Sequence, residues 1–414
     1  MKISLTTRIF IGMLAGIAVG YIYRITHPAP EDYRLFSENI QVLSDIFLRL
    51  IKMIIAPLVF STLVVGVAKV GDFKSVGRIG IKTLLYFQVA TILALTLGLV
   101  LVHVFEPGRV MQLPLPPQDA SSGVSAKVPG FKEFISHVIP KSVVEAMANN
   151  EILPIVIFSL FFGIATASMG DRSKTIVHAF DVISHIMFKV TNYVMLFAPF
   201  GVFGAISAIV AREGIGIISG YIYLIGCFYF GLCFFGFVIL GSICGIFRIP
   251  FFKLLSHIRE PMLLAFSTAS SESAFPKTVE ALEKYGCSNR IISFVLPLGY
   301  SFNLDGSIMY MTFATVFIAQ SYGIEFTIAQ EITMMLMLLV TSKGMAGVPR
   351  ASLVVIAGML SSFKIPEAGL LLLLGVDQLL DMGRSATNVI GNAVATAVVS
   401  KWENELVITS NKEE

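Results

Sequence analysis

Residues 375–401 read GVDQLLDMGRSATNVIGNAVATAVVSK and carry Asp377, Asp381, Arg384, Asn388 and Asn392 at intervals of four, three, four and four. At about 100° per residue these five share an arc of roughly 80° on one helix face. Arg384 offers a planar fork of donors that suits a carboxylate, and Asp381, three residues earlier, offers a negative partner for an ammonium. A helix holding both can read a zwitterion with an extra acid. The stretch is otherwise apolar enough to cross a bilayer, where an ionisable group costs about 2.5–3.5 kcal/mol and marks an ion or substrate path. The alternative is an Asp–Arg pair gluing two helices, but that needs two polar groups and the stripe has five.

Other groups join the set. Ser270, Ser271 and Ser307 supply hydroxyls, and hairpin tips supply helix-end N–H groups for anions. Asn303, Asp305, Asn388 and backbone carbonyls near Gly299 are hard oxygen ligands, suited to Na⁺ or able to carry a proton. Alone, Asn303–Ser307 is a weak signal beside the alternative of a glycine-bearing kink, and Ser270–Ser271 reads equally as a helix cap. Glu272 and Asp377 are candidate proton carriers, being carboxylates at the site with no obvious fixed cation. For Glu272, a solvated pair with Arg350 stays open.

The frame for these residues is a membrane. Of 414 residues 55% are hydrophobic and only 14% charged, with mean hydropathy +0.81, where a soluble chain carries about 25% charge. Apolar runs of helical length exclude a barrel. The net charge of +3 does not suggest nucleic acid. Cys227, Cys233, Cys244 and Cys287 show no CxxC spacing, the six histidines are scattered, and no nucleophile–base spacing points to an enzyme.

Along the chain, 9–25 forms a first span with Gly12, Gly16 and Gly20 as a close-packing ridge. Spans over 42–69, 83–105, 131–168 (with an amphipathic lead-in), 176–211 and 215–247 follow, and 106–130 is an irregular loop. The basic stretches 69–82, 171–174 and 248–259 share one side with the N-terminus, which the positive-inside rule makes cytoplasmic. The run near the N-terminus reads as a retained helix and not a signal peptide. After 248 the pattern breaks: a hairpin over 251–285 around STASSES, a span over 291–320 interrupted at Asn303–Ser307, a hairpin over 329–363 around TSKGMAGVP, then the striped helix. Paired interrupted segments point to a transporter's central site rather than a through-pore.

The stretches KMIIAPLVFSTLV, STASSES, GYSFNLDGS, SKGMAGVP and DMGRSATNVIGN resemble the dicarboxylate/amino acid:cation symporter family, over nearly the whole chain. The resemblance implies an all-α polytopic membrane protein with eight transmembrane helices and two re-entrant hairpins, a homotrimer in the bacterial inner membrane with both termini cytoplasmic. Segments 1–70 and 131–212 would form the scaffold, 106–130 an extracellular loop and 404–414 a cytoplasmic tail. Segments 71–105, 213–248 and 249–403 would form a transport unit moving as an elevator. It implies uptake of L-glutamate or L-aspartate with protons, sodium or both and no other cofactor; a C4-dicarboxylate symporter is the alternative.

In such a protein Arg384 would hold the side-chain carboxylate and Asp381 the amino group. Asn388, Ser271 and Ser307 would hold the main carboxylate, with Ser270, Ser385 and backbone at Ala269 and Val348 nearby. Cations would sit among Gly299, Ser301, Asn303, Asp305, Asn388, Asn392, Ser342 and Thr91. Relatives that take neutral amino acids lack the arginine, and C4-dicarboxylate carriers lack the aspartate at 381. Sodium-coupled archaeal members have aspartate where Asn392 stands, and their third-span ligands are here Phe87, Ala90 and Thr91. One charge through 100 mV is worth about 2.3 kcal/mol, so monoanionic glutamate needs two or more cations for the membrane potential to drive uptake. Removing Arg384 is expected to abolish acidic-substrate binding and leave folding intact.

Overall fold

A computed structural model describes residues 5–27, 29–70, 73–111, 115, 139–149, 151–214, 216–342, 351–374 and 376–408. Their regular structure is helical, with an isolated antiparallel bridge between Cys287 and Leu406. Helices of ten residues or more are α1 Leu5–Thr26, α2 Pro30–Val70, α3 Phe73–Phe105, α4 Ile152–Ser168, α5 Lys174–Met195, α6 Ala198–Glu213 and α7 Gly216–Cys233. They continue as α8 Arg259–Thr268, α9 Phe275–Tyr285, α10 Asn289–Phe302, α11 Asp305–Ser321, α12 Ile328–Thr341, α13 Ala351–Ser362 and α14 Asp377–Trp402. Among the described residues four helical stretches are long and apolar enough to cross a membrane, Thr7–Thr26, Gly77–Val110, Tyr221–Ile246 and Asn289–Ser321, and a bent pair makes a fifth. The protein is an all-helical polytopic membrane protein.

Several boundaries differ from the sequence reading, α3 among them, which starts at Phe73 where the span was read from 83. The helix read over 42–69 starts at Pro30 and runs 41 residues, about 60 Å, twice the hydrocarbon thickness. Its first turns are polar, with Glu31 and Asp32, so hydropathy alone caught only the apolar part. The span read over 176–211 is two helices bent by 48° around Leu196 and Phe197, where Pro199 near the start of α6 ends the upstream ladder.

Contacts sort the helices into two sets. In the first, α2 packs on α4, α5 and α6, and α1 lies on α6. The glycine ridge makes the last contact: a Cβ at Gly12, Gly16 or Gly20 would meet the carbonyl oxygens of Pro199, Phe203 and Ser207 at 2.5, 2.9 and 2.6 Å. Gly16→Leu should therefore lower the thermal midpoint in detergent, overpacking costing about 1–3 kcal/mol. Gly77→Ala, with nothing within 4 Å of the added carbon, should not; equal midpoints for the two variants contradict the ridge.

In the second set α14 is central, touching α3, α7, α8, α9, α10 and α11. The sets meet where α10 packs on α2 and α4, and α8 on α6 and α1. Just past α14, Glu403 ties the end of the chain to α3 through Arg78 (2.8 Å) and Lys82 (2.7 Å), and Lys82 also donates to the Trp402 carbonyl at 3.0 Å. Glu405 takes hydrogen bonds from Ser288 and Arg290, so the tail also straps the start of α10. Burial alone would raise the Glu403 pKa, but the hydrogen bonds from Arg78 and Lys82 outweigh it and hold the carboxyl below its usual range. Its contribution is complete above about pH 4.3 and lost as pH falls through the lowered value. Glu403→Gln should thus lower thermal stability at pH 7 by an amount that shrinks on acidification. A loss of equal size at pH 7 and pH 3 contradicts the ionic account.

Candidate functional site

The stripe on α14 faces inward. Asp377, Arg384, Asn388 and Asn392 are 1–3% exposed, and Asp381 is half-buried. They look onto the gap between α10 and α11, where Asn303 and Leu304 leave helical geometry. Glycines let the backbones close in: an added Cβ on Gly306 would stand 2.6 Å from the Arg384 carbonyl oxygen, and Gly299 and Gly391 abut the side chains of Asn392 and Asp305.

Arg384 is the centre. Its Nη2 donates to Asp377 Oδ1 at 3.0 Å and lies 3.1 Å from Asp381 Oδ1, and its guanidinium stacks 4.0 Å from the Tyr310 ring centroid. Its Nε and Nη1 are buried with no hydrogen-bond partner among the described residues. Orphaned buried donors on a cation are costly, so such groups suit an anionic ligand. The pairing corrects two expectations. Asp377 does have a fixed cation, and Tyr310 donates to it at 3.1 Å, so the basis for a proton carrier there is gone. Removing Arg384 would strand a fully buried Asp377, so the variant is expected to lose stability as well as substrate.

Asn388 caps α11. Its Oδ1 accepts from the N–H groups of Gly306 (2.9 Å) and Ser307 (3.4 Å), which a helix start leaves unpaired, and its Nδ2 donates to Ser307 Oγ at 3.2 Å. Below it Asn303 Nδ2 donates to Asp305 Oδ2 (3.2 Å) and Asn392 Oδ1 (3.3 Å). Asn303 Oδ1, Ser301 Oγ and Thr312 Oγ1 are buried acceptors with no partner among the described residues. This oxygen cluster suits a hard cation. Thr91 is buried on α3, the helix that packs along α11, and Ser385 is buried next to Arg384.

The first hairpin tip turns at Ala269, left-handed with φ 49°, and Ser270 N–H closes on the Ala265 carbonyl at 3.2 Å. Thr268 and Ser273 bond one another across the tip at 2.8 Å. Ser270, Ser271 and Glu272 stay half-buried at its end, and α8 packs against α14. Ser342 ends the described part of the second hairpin, buried and with no hydrogen-bond partner for its Oγ among the described residues. Val348 and Arg350 lie outside the described residues.

Tyr310 was not among the residues singled out by spacing. Its signal was there: it lies three residues after Ser307, on the same face of α11 as the helix break.

A buried charged helix set against a broken one, in an apolar helical protein, is the arrangement expected at a transporter's central site. The sequence profile described as the sodium:dicarboxylate symporter family matches residues 5–402, and the chain belongs to that family. It is 42% identical to a proton/sodium-glutamate symport protein of Geobacillus stearothermophilus, over 98% of this chain and 96% of that one. Identity is 43% to a proton/glutamate-aspartate symporter of Escherichia coli (strain K12), over 98% and 94%. It is 38% to a C4-dicarboxylate transport protein of Bacillus subtilis (strain 168), over 97% and 94%.

Proposed function

We propose that the protein takes up L-glutamate or L-aspartate together with protons, sodium or both. The observation that carries this is Arg384, fully buried, whose Nε and Nη1 have no hydrogen-bond partner among the described residues, beside a half-buried Asp381. The substrate's side-chain carboxylate would take the guanidinium donors and its ammonium would take Asp381. Its main carboxylate would exchange with the Asn388–Ser307 bond and use Ser271, Ser270 and backbone at Ala269 and Val348. The cations would use the Asn303, Asp305, Ser301 and Asn392 cluster, with Gly299, Thr91 and Ser342 contributing. Glu272 stays the candidate proton carrier. The names of the two glutamate-transporting relatives support this reading.

Eight spans with two re-entrant hairpins, assembled as a trimer, complete the proposal, with both termini cytoplasmic in a bacterial inner membrane. The two sets of helices support a division into a scaffold (1–70, 131–212) and a moving unit (71–105, 213–403) that carries the site across as an elevator. The similarity to a C4-dicarboxylate transport protein favours a second reading, transport of succinate-like diacids. Asp381 argues against it, since a diacid offers no ammonium. Liposomes with separately imposed sodium and proton gradients test the first reading. Labelled glutamate should accumulate under at least one gradient and be displaced by aspartate; displacement by succinate and not aspartate selects the second.

Asn392 sets the ion preference. Its Nδ2 is buried without a partner among the described residues, so a carboxylate there would complete the oxygen cluster with a charge. Asn392→Asp should increase the sodium dependence of uptake, and a variant whose uptake ignores sodium contradicts this assignment.

A further inference from the structure

After α14 the chain turns back on itself. Asn404 is left-handed, with φ 57°, and the residues that follow lie across the turn between α9 and α10. There the Val407 N–H donates to the Gly286 carbonyl at 2.9 Å, and Leu406 pairs with Cys287. Gly286, at φ 110°, makes the room, since an added Cβ would strike the Val407 carbonyl oxygen. Within this short strap two acids face three cations. Glu403, its side chain 3% exposed, takes Arg78 and Lys82 of α3. Glu405 takes Arg290 at 3.0 Å and the Ser288 hydroxyl at the start of α10.

The helices fastened here each carry a candidate cation group. Thr91 on α3 stands nine residues beyond Lys82, Ser301 on α10 eleven beyond Arg290, and Asn392 on α14 eleven before Glu403. At about 1.5 Å per residue all three lie about 14–16 Å from the strap, at one level. The helices also pack pairwise, α10 on α14 and on α3, and α14 on α3. Between the strap and that level, Thr83 Oγ1 and Tyr86 OH of α3 are buried with no hydrogen-bond partner among the described residues. Those hydroxyls do not fasten the seam, so the spacing of the helices there is left to apolar packing and to the strap.

We infer that the strap is a positioning element for the cation cluster: Glu403 and Glu405 fix where Thr91 stands against Ser301 and Asn392, and so set how tightly a cation is held. The inference rests on the cation-site reading proposed above. A cation site holds its ion only where the ligands stand within about 0.2 Å of their proper distances. Helices are stiff over three turns, so a shift of α3 at Lys82 is carried to Thr91. Glu403 and Glu405 themselves touch neither substrate nor cation.

The test titrates L-glutamate into the purified full chain by calorimetry, over a series of sodium concentrations and pH values, beside thermal midpoints. In Glu403→Gln/Glu405→Gln the cation level that gives half the limiting glutamate affinity should rise about five-fold, or about 0.7 unit lower in pH where the cation is the proton. Glutamate affinity at saturating cation should stay within about two-fold of wild type. Glu403→Asp/Glu405→Asp keeps both charges and should recover most of the shift. Gly16→Leu, which disturbs a ridge remote from the strap, should lower the thermal midpoint and leave the cation level alone. If the double glutamine variant has a lower midpoint but the wild-type cation level, or if Gly16→Leu shifts that level as far, the strap only holds the fold and the proposal is overturned. Should the double variant not fold, Glu405→Gln alone, with Glu403 still on Arg78 and Lys82, should shift the level about two-fold; no shift overturns the proposal. If neither sodium nor pH changes glutamate affinity in the wild type, the cation-site reading itself has failed and the proposal falls with it.

Discussion

Arg384→Ala is expected to lose acidic-substrate affinity by about two orders of magnitude or more, since truncating one partner of a buried hydrogen-bonded charge pair costs about 2–5 kcal/mol. The same change should destabilise the protein, because Asp377 stays buried at 2% exposure with its cation gone. The two losses can be separated. In Arg384→Ala/Asp377→Asn no buried charge is stranded, and Tyr310 keeps a hydrogen-bond partner at position 377. The double variant should recover much of its thermal stability and none of its glutamate affinity. Recovery of both would make Arg384 a structural strut; recovery of neither would mean the Asp377 pairing is not what destabilises the single variant.

Gly306→Ala is expected to abolish transport through packing rather than charge. The added carbon would stand 2.6 Å from the Arg384 carbonyl oxygen and 2.8 Å from its Cα, both backbone atoms that cannot swing aside. Either α11 withdraws from α14 or the chain shifts at the break, and in both cases Asn388 loses the Gly306 and Ser307 N–H groups it caps. A fall in thermal midpoint with loss of uptake is the expected result. A variant with wild-type uptake would show that the approach of these helices is not needed.

The polar row on α14 was legible in the sequence for a simple reason: polar residues in an apolar helix stand out, and their helical spacing assigns them to one face. The inward orientation of Arg384, Asn388 and Asn392 follows from the cost of exposing them to lipid. The glycine ridge on α1 was equally readable, because Gly12, Gly16 and Gly20 have only backbone to offer a partner. Spacing did not show how Arg384 divides its donors. Its side chain spans back to Asp377 as well as Asp381, and this contact depends on rotamers and on Tyr310 from another helix. The bend between α5 and α6 was signalled by Pro199 but hidden by continuous hydropathy. The Glu403 strap joins residues far apart in sequence, and nothing local announces such pairs.

The central claim is that the buried guanidinium of α14 reads the side-chain acid of an amino acid. Calorimetric titration of the purified protein with L-glutamate and L-glutamine, at fixed sodium and pH, tests it most directly, because the two ligands differ only in that group. The account predicts that glutamate binds and that glutamine binds at least about a hundred-fold more weakly, the loss of a buried charge-assisted contact. Equal affinity for the two would contradict it.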